Sequence, residues 1–352
     1  MTVEQRDGSG DRAELLALCA GYFVSYVLTG VMVKYFLGSA DQGYPGMPDL
    51  AFLVYSTAGG SALCIGIVLG LRWWRYSPAS FFTVGGLAIG SELPWIVASG
   101  VCTAVVIPTT TLLYTLPIPV MVAMVIMRGS VIAISRGVDV VLGLQGLAKR
   151  PVRWEENAAV AFALAAVSVH LVGQKDGGFS FTESPAAVAI LGSYLAAYAV
   201  RIYLMNWFKL TRPPGTPANN KAFFAIEQLS ASTVLGAACA AILFVPTAVP
   251  QIAVMRAAIL TPHPSAFAAL GAGTVYGVVA LFSVFLFLFR GRSATFTGLV
   301  NRLTSLVAGT AATGVSWWAF GARAPSLLDV ASLGLVLAAV GFLARADGRR
   351  VG

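Results

Sequence analysis

The feature that most constrains this chain is a series of ten apolar segments, separated by short polar links that hold most of its charged residues. A helix of about 20 mainly apolar residues is long enough to cross the hydrocarbon core of a bilayer. The composition agrees, because 57% of the 352 residues are hydrophobic and only 11% are charged, whereas soluble domains are about 25% charged. The sequence therefore predicts an all-α polytopic membrane protein. The predicted spans are approximately 13–37, 50–73, 93–114, 119–146, 155–174, 184–207, 221–246, 264–289, 293–318 and 325–345.

Two prolines divide the third predicted span from the fourth. The stretch Tyr114-Thr115-Leu116-Pro117-Ile118-Pro119 interrupts an otherwise almost continuous apolar run. Proline disfavours helix at its own position and in the residue before it. The prolines therefore favour two separate helices, and without them the chain would have nine predicted spans.

The basic residues indicate how the helices are oriented, because cytoplasmic loops of membrane proteins carry an excess of Lys and Arg. If the N-terminus is cytoplasmic, the inside segments hold 15 of the 23 basic residues and the outside loops hold four. The remaining four fall inside spans, at Arg128, Arg136, Arg201 and Arg302. This distribution predicts ten helices with both termini in the cytoplasm. It also explains the formal net charge of +8 without a nucleic-acid partner.

Ten helices divide into two sets of five at a polar, glycine-rich stretch, residues 174–180. Because five is an odd number, the second set enters the membrane from the opposite side, and the repeat must be inverted. We divide the chain into a cytoplasmic N-terminal tail (1–12), a first five-helix repeat (13–174), a linker (175–183), a second five-helix repeat (184–346) and a cytoplasmic C-terminal tail (347–352).

Two arginines occupy matching positions in the predicted repeats. Arg128 stands 20 residues before Ala148-Lys149-Arg150-Pro151, and Arg302 stands 20 residues before Ala322-Arg323-Ala324-Pro325. An ionised group near the bilayer centre costs several kcal/mol unless it is paired or faces water. Guanidinium groups suit bidentate binding of carboxylate or phosphate. We therefore expect Arg128 and Arg302 to bind an anionic substrate.

Other charged residues inside the predicted spans have competing interpretations. The alternative to substrate binding for Arg128 and Arg302 is a structural ion pair with an acid such as Glu227 or Asp139. Arg136 and Asp139 are three residues apart on one helix face, and we expect them to neutralise each other. Glu227 is expected to be the counter-ion of an arginine, with a proton site as the alternative. His170 is expected to be an interior hydrogen-bonded residue, with a proton relay as the alternative.

Hydroxyl groups near the arginines complete the candidate site. Ser130 and Thr304 either donate to a ligand or return hydrogen bonds to their own helix, which is the common fate of Ser and Thr in such segments. Tyr114 either closes the outer entrance or lies in the aromatic belt at the membrane surface. The sequence alone leaves these alternatives open.

Glycine-rich stretches predict close packing between helices, because small residues let backbones approach where no hydrophobic effect drives association. The stretches are Gly59-Gly60, Gly85-Gly86 and Gly271-Ala272-Gly273 together with Gly277. Pro250 to Leu260 is expected to form a short helix on the outer surface.

These features resemble the drug/metabolite transporter superfamily, whose members have ten helices in a five-plus-five inverted repeat. Leu113-Tyr114 followed by Ile126-Met127-Arg128-Gly129-Ser130-Val131-Ile132 is similar to a pattern in helices 3 and 4 of the branch related to solute carrier family 35, which includes nucleotide-sugar and triose-phosphate transporters. Gly298-Leu299-Val300-Asn301-Arg302 is similar to the Gly-Ala-Leu-Asn-Lys motif of nucleotide-sugar transporters, whose basic residue faces the substrate phosphates. The resemblance implies that Asn301 and Arg302 contact the substrate.

The predicted function is secondary active transport of a small organic anion by alternating access, in a bacterial inner membrane. The substrate would be a phosphorylated or carboxylated metabolite, with a nucleotide sugar as one option. The sequence has no ATP-binding loop and no common catalytic motif, so we expect no enzyme activity, no catalytic residue, no metal and no cofactor. The expected partners are the lipid bilayer and the substrate, with a homodimer left open. The alternatives are an exporter of amino acids, drugs or other neutral or cationic metabolites, a membrane-embedded enzyme acting on lipid phosphates, and a non-transporting scaffold.

Overall fold

The structure, a computed structural model, describes residues 3–115, 120–148, 153–172, 185–212, 219–244, 249–321 and 326–351. Within these ranges the chain is largely helical, as the apolar segments predict, and it contains one short β-hairpin. The helices are α1 (Val3–Leu37), α2 (Asp49–Gly70), α3 (Leu93–Thr115), α4 (Val120–Leu144), α5 (Trp154–Val172), α6 (Pro185–Thr211), α7 (Asn220–Phe244), α8 (Pro250–Leu260), α9 (Ala266–Phe287), α10 (Ala294–Phe320) and α11 (Leu327–Val351). The strands are β1 (Phe81–Val84) and β2 (Leu87–Gly90).

Each of the ten predicted spans contains one long helix, and α8 is the short helix predicted between the seventh and eighth spans. Six helices in the described ranges are long and apolar enough to cross a membrane, namely α1 from Arg12, α2, α3 up to Thr110, α6 from Ala187, α7 and α9. The apolar part of α11, Val330–Ala346, is shorter. The described part of α4 carries three charged residues. These helices make the chain an all-α, multi-pass membrane protein.

Two helix boundaries bear on the predicted spans. Helix α3 ends at Thr115 and α4 begins at Val120, so the chain forms two helices where the prolines predict a break, and residues 116–119 lie outside the described ranges. Helix α1 begins at Val3, well before the first predicted span. Apolar runs mark where a membrane would lie, whereas a helix continues into polar residues that water can solvate.

The link between α2 and α3 corrects one prediction. Gly85 and Gly86, expected to pack between helices, instead form the two-residue turn that joins β1 to β2, with φ of 58° and 83°. A hairpin turn of this kind needs positive φ at both central residues, which glycine adopts without strain. The prediction was wrong because the same dipeptide suits both roles, and only the pairing of the flanking strands distinguishes them.

Packing divides the chain into two compact units. The first unit consists of Met1–Val31, Ile118–Glu183 and Phe282–Gly352, and the second consists of Met32–Pro117 and Ser184–Leu281. The first unit contains α4, α5, α10 and α11, and the second contains α2, α3, α6, α7 and α8. Helices α1 and α9 contribute residues to both units.

Small residues hold the helices of the first unit together. Helix α5 packs against α4 and α11, and α10 packs against α4, α5 and α11. Ala163 and Ala166 of α5 and Ala339 of α11 are fully buried, so the backbones approach closely. Ser332 Oγ of α11 donates a hydrogen bond to the Ala166 carbonyl at 2.9 Å. Van der Waals contact and interhelical hydrogen bonds are the forces expected to hold helices together in lipid.

Glycine brings α2 and α9 into contact in the second unit. A Cβ added to Gly59 would overlap the backbone of Leu270, and a Cβ added to Gly273 would overlap the backbone of Ser56. Gly271 has nothing within 4 Å of such a Cβ. The glycine stretches therefore pack helices at Gly59 and Gly273, as expected, but not at Gly271.

We expect Gly59→Ala and Gly273→Ala to lower the midpoint of thermal unfolding in detergent, because each added methyl meets backbone that cannot move aside. Overpacking of this kind costs about 1–3 kcal/mol. The matched controls are Gly66→Ala on α2 and Gly271→Ala on α9, where the space beside the glycine is open. The controls should keep or slightly raise the midpoint, since Ala favours helix over Gly. A similar loss in all four variants would contradict the packing.

Candidate functional site

A buried ion pair joins α6 and α7 in the second unit. Arg201 Nε donates to Glu227 Oε1 at 2.8 Å, and Arg201 Nη2 donates to Glu227 Oε2 at 3.3 Å. The Glu227 side chain is fully buried, and that of Arg201 is 8% exposed. The planar guanidinium fork matches both carboxylate oxygens. The two charges therefore neutralise each other among apolar helices, where an isolated ion would be costly.

Two hydroxyl groups of α3 complete the surroundings of Glu227. Ser99 Oγ donates to Glu227 Oε1 at 2.7 Å, and Thr103 Oγ1 donates to the same oxygen at 3.1 Å. The two residues are four apart and therefore point from the same face of α3. Between them, Gly100 lets α3 approach α7, because a Cβ there would lie 2.6 Å from the Glu227 carbonyl oxygen. Four donor atoms thus tie α3, α6 and α7 together at one carboxylate.

This cluster shows what sequence reasoning missed. Glu227 was expected to be the counter-ion of an arginine, and it is, but its partner is Arg201, to which the sequence had assigned no partner. The intramembrane charge of Arg201 and the helical spacing of Ser99 and Thr103 were visible in the sequence. Their partner was not, because it depends on how three helices are rotated against one another.

We expect Glu227→Met alone to destabilise the protein by about 3–5 kcal/mol, because removing one partner of a buried ion pair leaves the other charge uncompensated. Adding Arg201→Met should restore most of that loss, since well-packed apolar residues often replace a buried pair without cost. The measurement is thermal unfolding in detergent of both single variants and the double variant, analysed as a double-mutant cycle. Additive losses would show that the two side chains do not act as a pair.

In the first unit, Asp139 of α4 caps the start of α10. Asp139 Oδ1 accepts from the backbone N–H of Ala294 at 2.8 Å, and Oδ2 accepts from the N–H of Thr295 at 2.6 Å. Ser293 Oγ accepts from the N–H of Phe296 at 3.0 Å. The first N–H groups of a helix have no partner inside it, and the helix dipole favours a carboxylate there. Asp139 therefore fixes α4 to the beginning of α10.

The expected ion pair between Arg136 and Asp139 does not form in the described part of the chain, because both oxygens of Asp139 face α10. Neighbours three apart on a helix can pair, but surface pairs of this kind contribute only a few tenths of a kcal/mol. Two buried N–H groups without any other acceptor are costlier to leave unsatisfied. The Asp139 carboxylate therefore accepts from the backbone of α10 and not from Arg136, which is half-buried.

We expect Asp139→Ala to lower the free energy of unfolding by about 1–2 kcal/mol, the usual effect of losing a helix N-cap. Arg136→Ala is the matched control on the same helix and should change stability little. Thermal unfolding in detergent distinguishes the two variants. If both lowered the midpoint equally, the two side chains would be acting as the originally expected pair.

Helices α4 and α10 run antiparallel along a shared seam. Towards one end Asp139 contacts the start of α10, and next along the seam a Cβ added to Gly298 would overlap the Ser135 hydroxyl. Further along, the guanidinium of Arg128 lies beside Gly309, with Nη2 3.6 Å from the position of an added Cβ. Arg128, Ser135 and Asp139 are spaced by seven and four residues and therefore share one face of α4.

The seam also carries Arg302, which is buried. Arg302 precedes Gly309 by seven residues, which is close to two helical turns and about 10 Å along the axis. The two residues therefore lie on the same face of α10. Arg128, by contrast, is half-buried and has no hydrogen bond or ion pair with any described residue. Two arginines thus lie along one seam, and Arg128 carries an uncompensated charge within the described structure.

Asn301, a predicted substrate contact, has protein partners for its amide group. Its Nδ2 donates to Ser283 Oγ of α9 at 3.0 Å, and its Oδ1 accepts from the Tyr22 hydroxyl of α1 at 3.5 Å. The residue is buried. Asn301 therefore connects α1, α9 and α10 within the first unit, beside the seam that Arg302 occupies.

Two predicted hydroxyl residues are not brought onto the seam. Ser130 and Thr304 each lie two residues from an arginine, which places them about 200° around the helix from it. Both are half-buried, and neither hydroxyl has a hydrogen bond within the described residues. This differs from Ser135 and Ser305, which donate to carbonyls of their own helices.

Two further candidates fall partly outside the described structure. Tyr114 lies in α3 and His170 lies in α5, and their side chains are outside the described part of the chain. Their expected roles stay predictions.

The fold and these buried clusters define an all-α, multi-pass integral membrane protein with charged residues inside its helices. No protein-family model matches the chain, and no curated protein matches it. Solved structures do match, among them one described only as "Crystal structure of protein", which is 17% identical to this chain. The match covers 96% of this chain and 98% of that one, with a TM-score of 0.58. At this identity the likeness shows a shared fold and nothing about activity.

Proposed function

We propose that this protein is a secondary transporter of small organic anions, with ten spans in an inverted five-plus-five repeat and both termini in the cytoplasm. The observation that carries the proposal is Arg128, a half-buried arginine of α4 without a described counter-charge, lying against Gly309 of α10. An arginine in such a segment needs a partner or water. A bound anion and a water-filled pathway both satisfy that need.

Arg201, Glu227 and Asp139 support this assignment by contrast. Arg201 and Glu227 satisfy each other, and Asp139 is satisfied by the backbone of α10. Each of these groups therefore has a protein partner and needs none from a substrate. Arg128 has no described partner, and its guanidinium presents five N–H donors suited to carboxylate or phosphate.

Arg302 extends the proposed site along the same helix face. Its Cα lies about 10 Å along α10 from the level of Gly309, where the Arg128 guanidinium lies. A long arginine side chain together with one carboxylate or phosphate group spans a distance of this order. An anion with two charged ends would engage both arginines most readily, which favours phosphorylated or dicarboxylated metabolites over monovalent ones.

The resemblance to the drug/metabolite transporter superfamily points to the same function, because the motifs around Arg128 and Arg302 are the ones that carry it. Alternating access, coupling by exchange or protons, and a bacterial inner membrane belong to this proposal. An exporter of amino acids, drugs or other neutral or cationic metabolites, a lipid-phosphate enzyme and a non-transporting scaffold are the rival functions that experiment must exclude.

Binding is measured by thermal stabilisation of the purified protein with phosphates, nucleotides, nucleotide sugars, carboxylates, amino acids and cationic drugs. A ligand at 100 times its Kd adds about 2.7 kcal/mol of stability, which shifts the unfolding midpoint measurably. We expect anions to stabilise the protein, and Arg128→Gln to weaken that binding about 10- to 100-fold, since hydrogen bonds to charged groups contribute about 1.5–3 kcal/mol. Uptake of the best ligand by proteoliposomes should fall in parallel.

Two comparisons make the test specific to this site. Arg136→Gln removes another half-buried arginine of α4 and should leave binding unchanged. Gly309→Ala places a methyl at ordinary contact distance from Arg128 and should be tolerated, whereas Gly309→Leu should displace the guanidinium and reduce binding. Stabilisation by cations alone would refute anion transport. Arginine variants that alter yield but never binding or uptake would favour the scaffold.

A further inference from the structure

The β-hairpin between α2 and α3 exposes apolar side chains outside the helices. Leu87 is 71% exposed and Phe81 is 65% exposed, and Phe82 is exposed as well. Residues 81–90 contain no charged side chain. An isolated two-stranded hairpin is at best marginally stable in water, and uncharged apolar strand edges invite aggregation. The hairpin therefore needs a cover that the described part of its unit does not supply.

The pairing of the strands places three apolar residues, Phe82, Leu87 and Ile89, on one face of the hairpin. Phe82 pairs with Ile89, and Val84 pairs with Leu87, across the Gly85-Gly86 turn. Paired residues of an antiparallel ladder lie on the same face, and successive residues alternate between faces. The other face carries Phe81, Thr83, Ala88 and Gly90 and is therefore mixed.

The hairpin lies in the link between two helices that are long and apolar enough to cross a membrane. Helix α2 ends at Gly70, and α3 begins at Leu93, three residues after the last residue of β2. Three residues span at most about 10 Å. The base of the hairpin therefore lies within about 10 Å of the point where α3 begins.

A polar cluster holds that base in place. The Tyr76 hydroxyl donates to Glu92 Oε2 at 2.5 Å, and Arg212 Nε lies 3.3 Å from Glu92 Oε1. Arg212 Nη2 and Asn219 Nδ2 both donate to the Ser77 carbonyl, at 2.9 and 3.1 Å. Burial raises the pKa of Tyr76, and its hydrogen bond to Glu92 raises that pKa further. The phenol therefore remains a donor at neutral pH, and the hairpin has a fixed attachment.

We propose that this hairpin is a membrane-surface anchor whose face of Phe82, Leu87 and Ile89 lies in the boundary between lipid headgroups and acyl chains. Apolar side chains gain free energy when they leave water for that boundary, and residues 81–90 carry no charge that would oppose it. Because α3 begins directly after the hairpin, the bilayer is the apolar phase within reach. The anchor would hold the α2–α3 link at the surface independently of any substrate.

The test uses the full-length protein in vesicles of phosphatidylcholine and phosphatidylglycerol, with a nitrobenzoxadiazole dye on an introduced cysteine. Leu87→Cys samples the apolar face, and Ala88→Cys, its neighbour on the same strand, samples the mixed face. Asp41→Cys, in the exposed link between α1 and α2, is the aqueous reference. The wild type, with its four helix cysteines, serves as the labelling blank. Each variant must keep the wild-type unfolding midpoint.

We expect the dye at Leu87 to emit at shorter wavelength than at Asp41. Lipids spin-labelled near the headgroup should quench it several-fold more strongly than they quench the Asp41 dye, and more strongly than lipids labelled deep in the acyl chain do. The dye at Ala88 should be intermediate. Emission at Leu87 equal to that at Asp41, without quenching, would overturn the proposal. A blue shift that lipid quenchers do not affect and that grows with protein density would also overturn it, in favour of a second copy of the chain covering the hairpin.

Discussion

The structure depends on how charged groups are accommodated among helices that are otherwise apolar. Each such group needs a partner or contact with water, because an unpaired ion inside a bilayer costs several kcal/mol or more. The second unit meets this constraint with a self-contained cluster, in which Arg201 and two hydroxyls surround Glu227. The same four hydrogen bonds neutralise the Glu227 carboxylate and hold α3, α6 and α7 together.

The first unit accommodates its charged groups differently, and this difference bears on the proposed binding site at Arg128. Asp139 gives its carboxylate to the backbone at the start of α10, which sets the register of α4 against α10. With that register fixed, Ser135 lies against Gly298 and the Arg128 guanidinium lies against Gly309. An acid that would otherwise be available to neutralise an arginine of α4 is committed to a helix end. The position of Arg128 beside Gly309 thus follows from the register that this cap sets, and Asp139 is not available to pair with it.

How far the sequence anticipates this arrangement depends on the range of the interaction. Helices form from local sequence, and apolar runs of sufficient length located the ten long helices and the short α8 that the described ranges contain. The turn at Gly85-Gly86 was missed because its meaning depends on strand pairing several residues away. Asp139 was assigned to Arg136 because the sequence shows a neighbour three residues off, but not a helix end 155 residues later. The same limit hid the partnership of Arg201 with Glu227, since rotation of one helix against another leaves no trace in a single sequence.

The charged residues on the seam also bear on whether the proposed substrate is an anion or a cation. A cation bound at the seam would lie close to Arg128 and Arg302. Like charges repel strongly in a medium of low dielectric constant. Asp139, the acid on this seam, already accepts two hydrogen bonds from the start of α10. Releasing it to serve a cation would leave buried donors unsatisfied, at a cost of about 1–3 kcal/mol for each group. An anion requires no such release, because it adds a partner where the described structure has none. The balance of these terms is the physical reason to prefer an anionic substrate at Arg128.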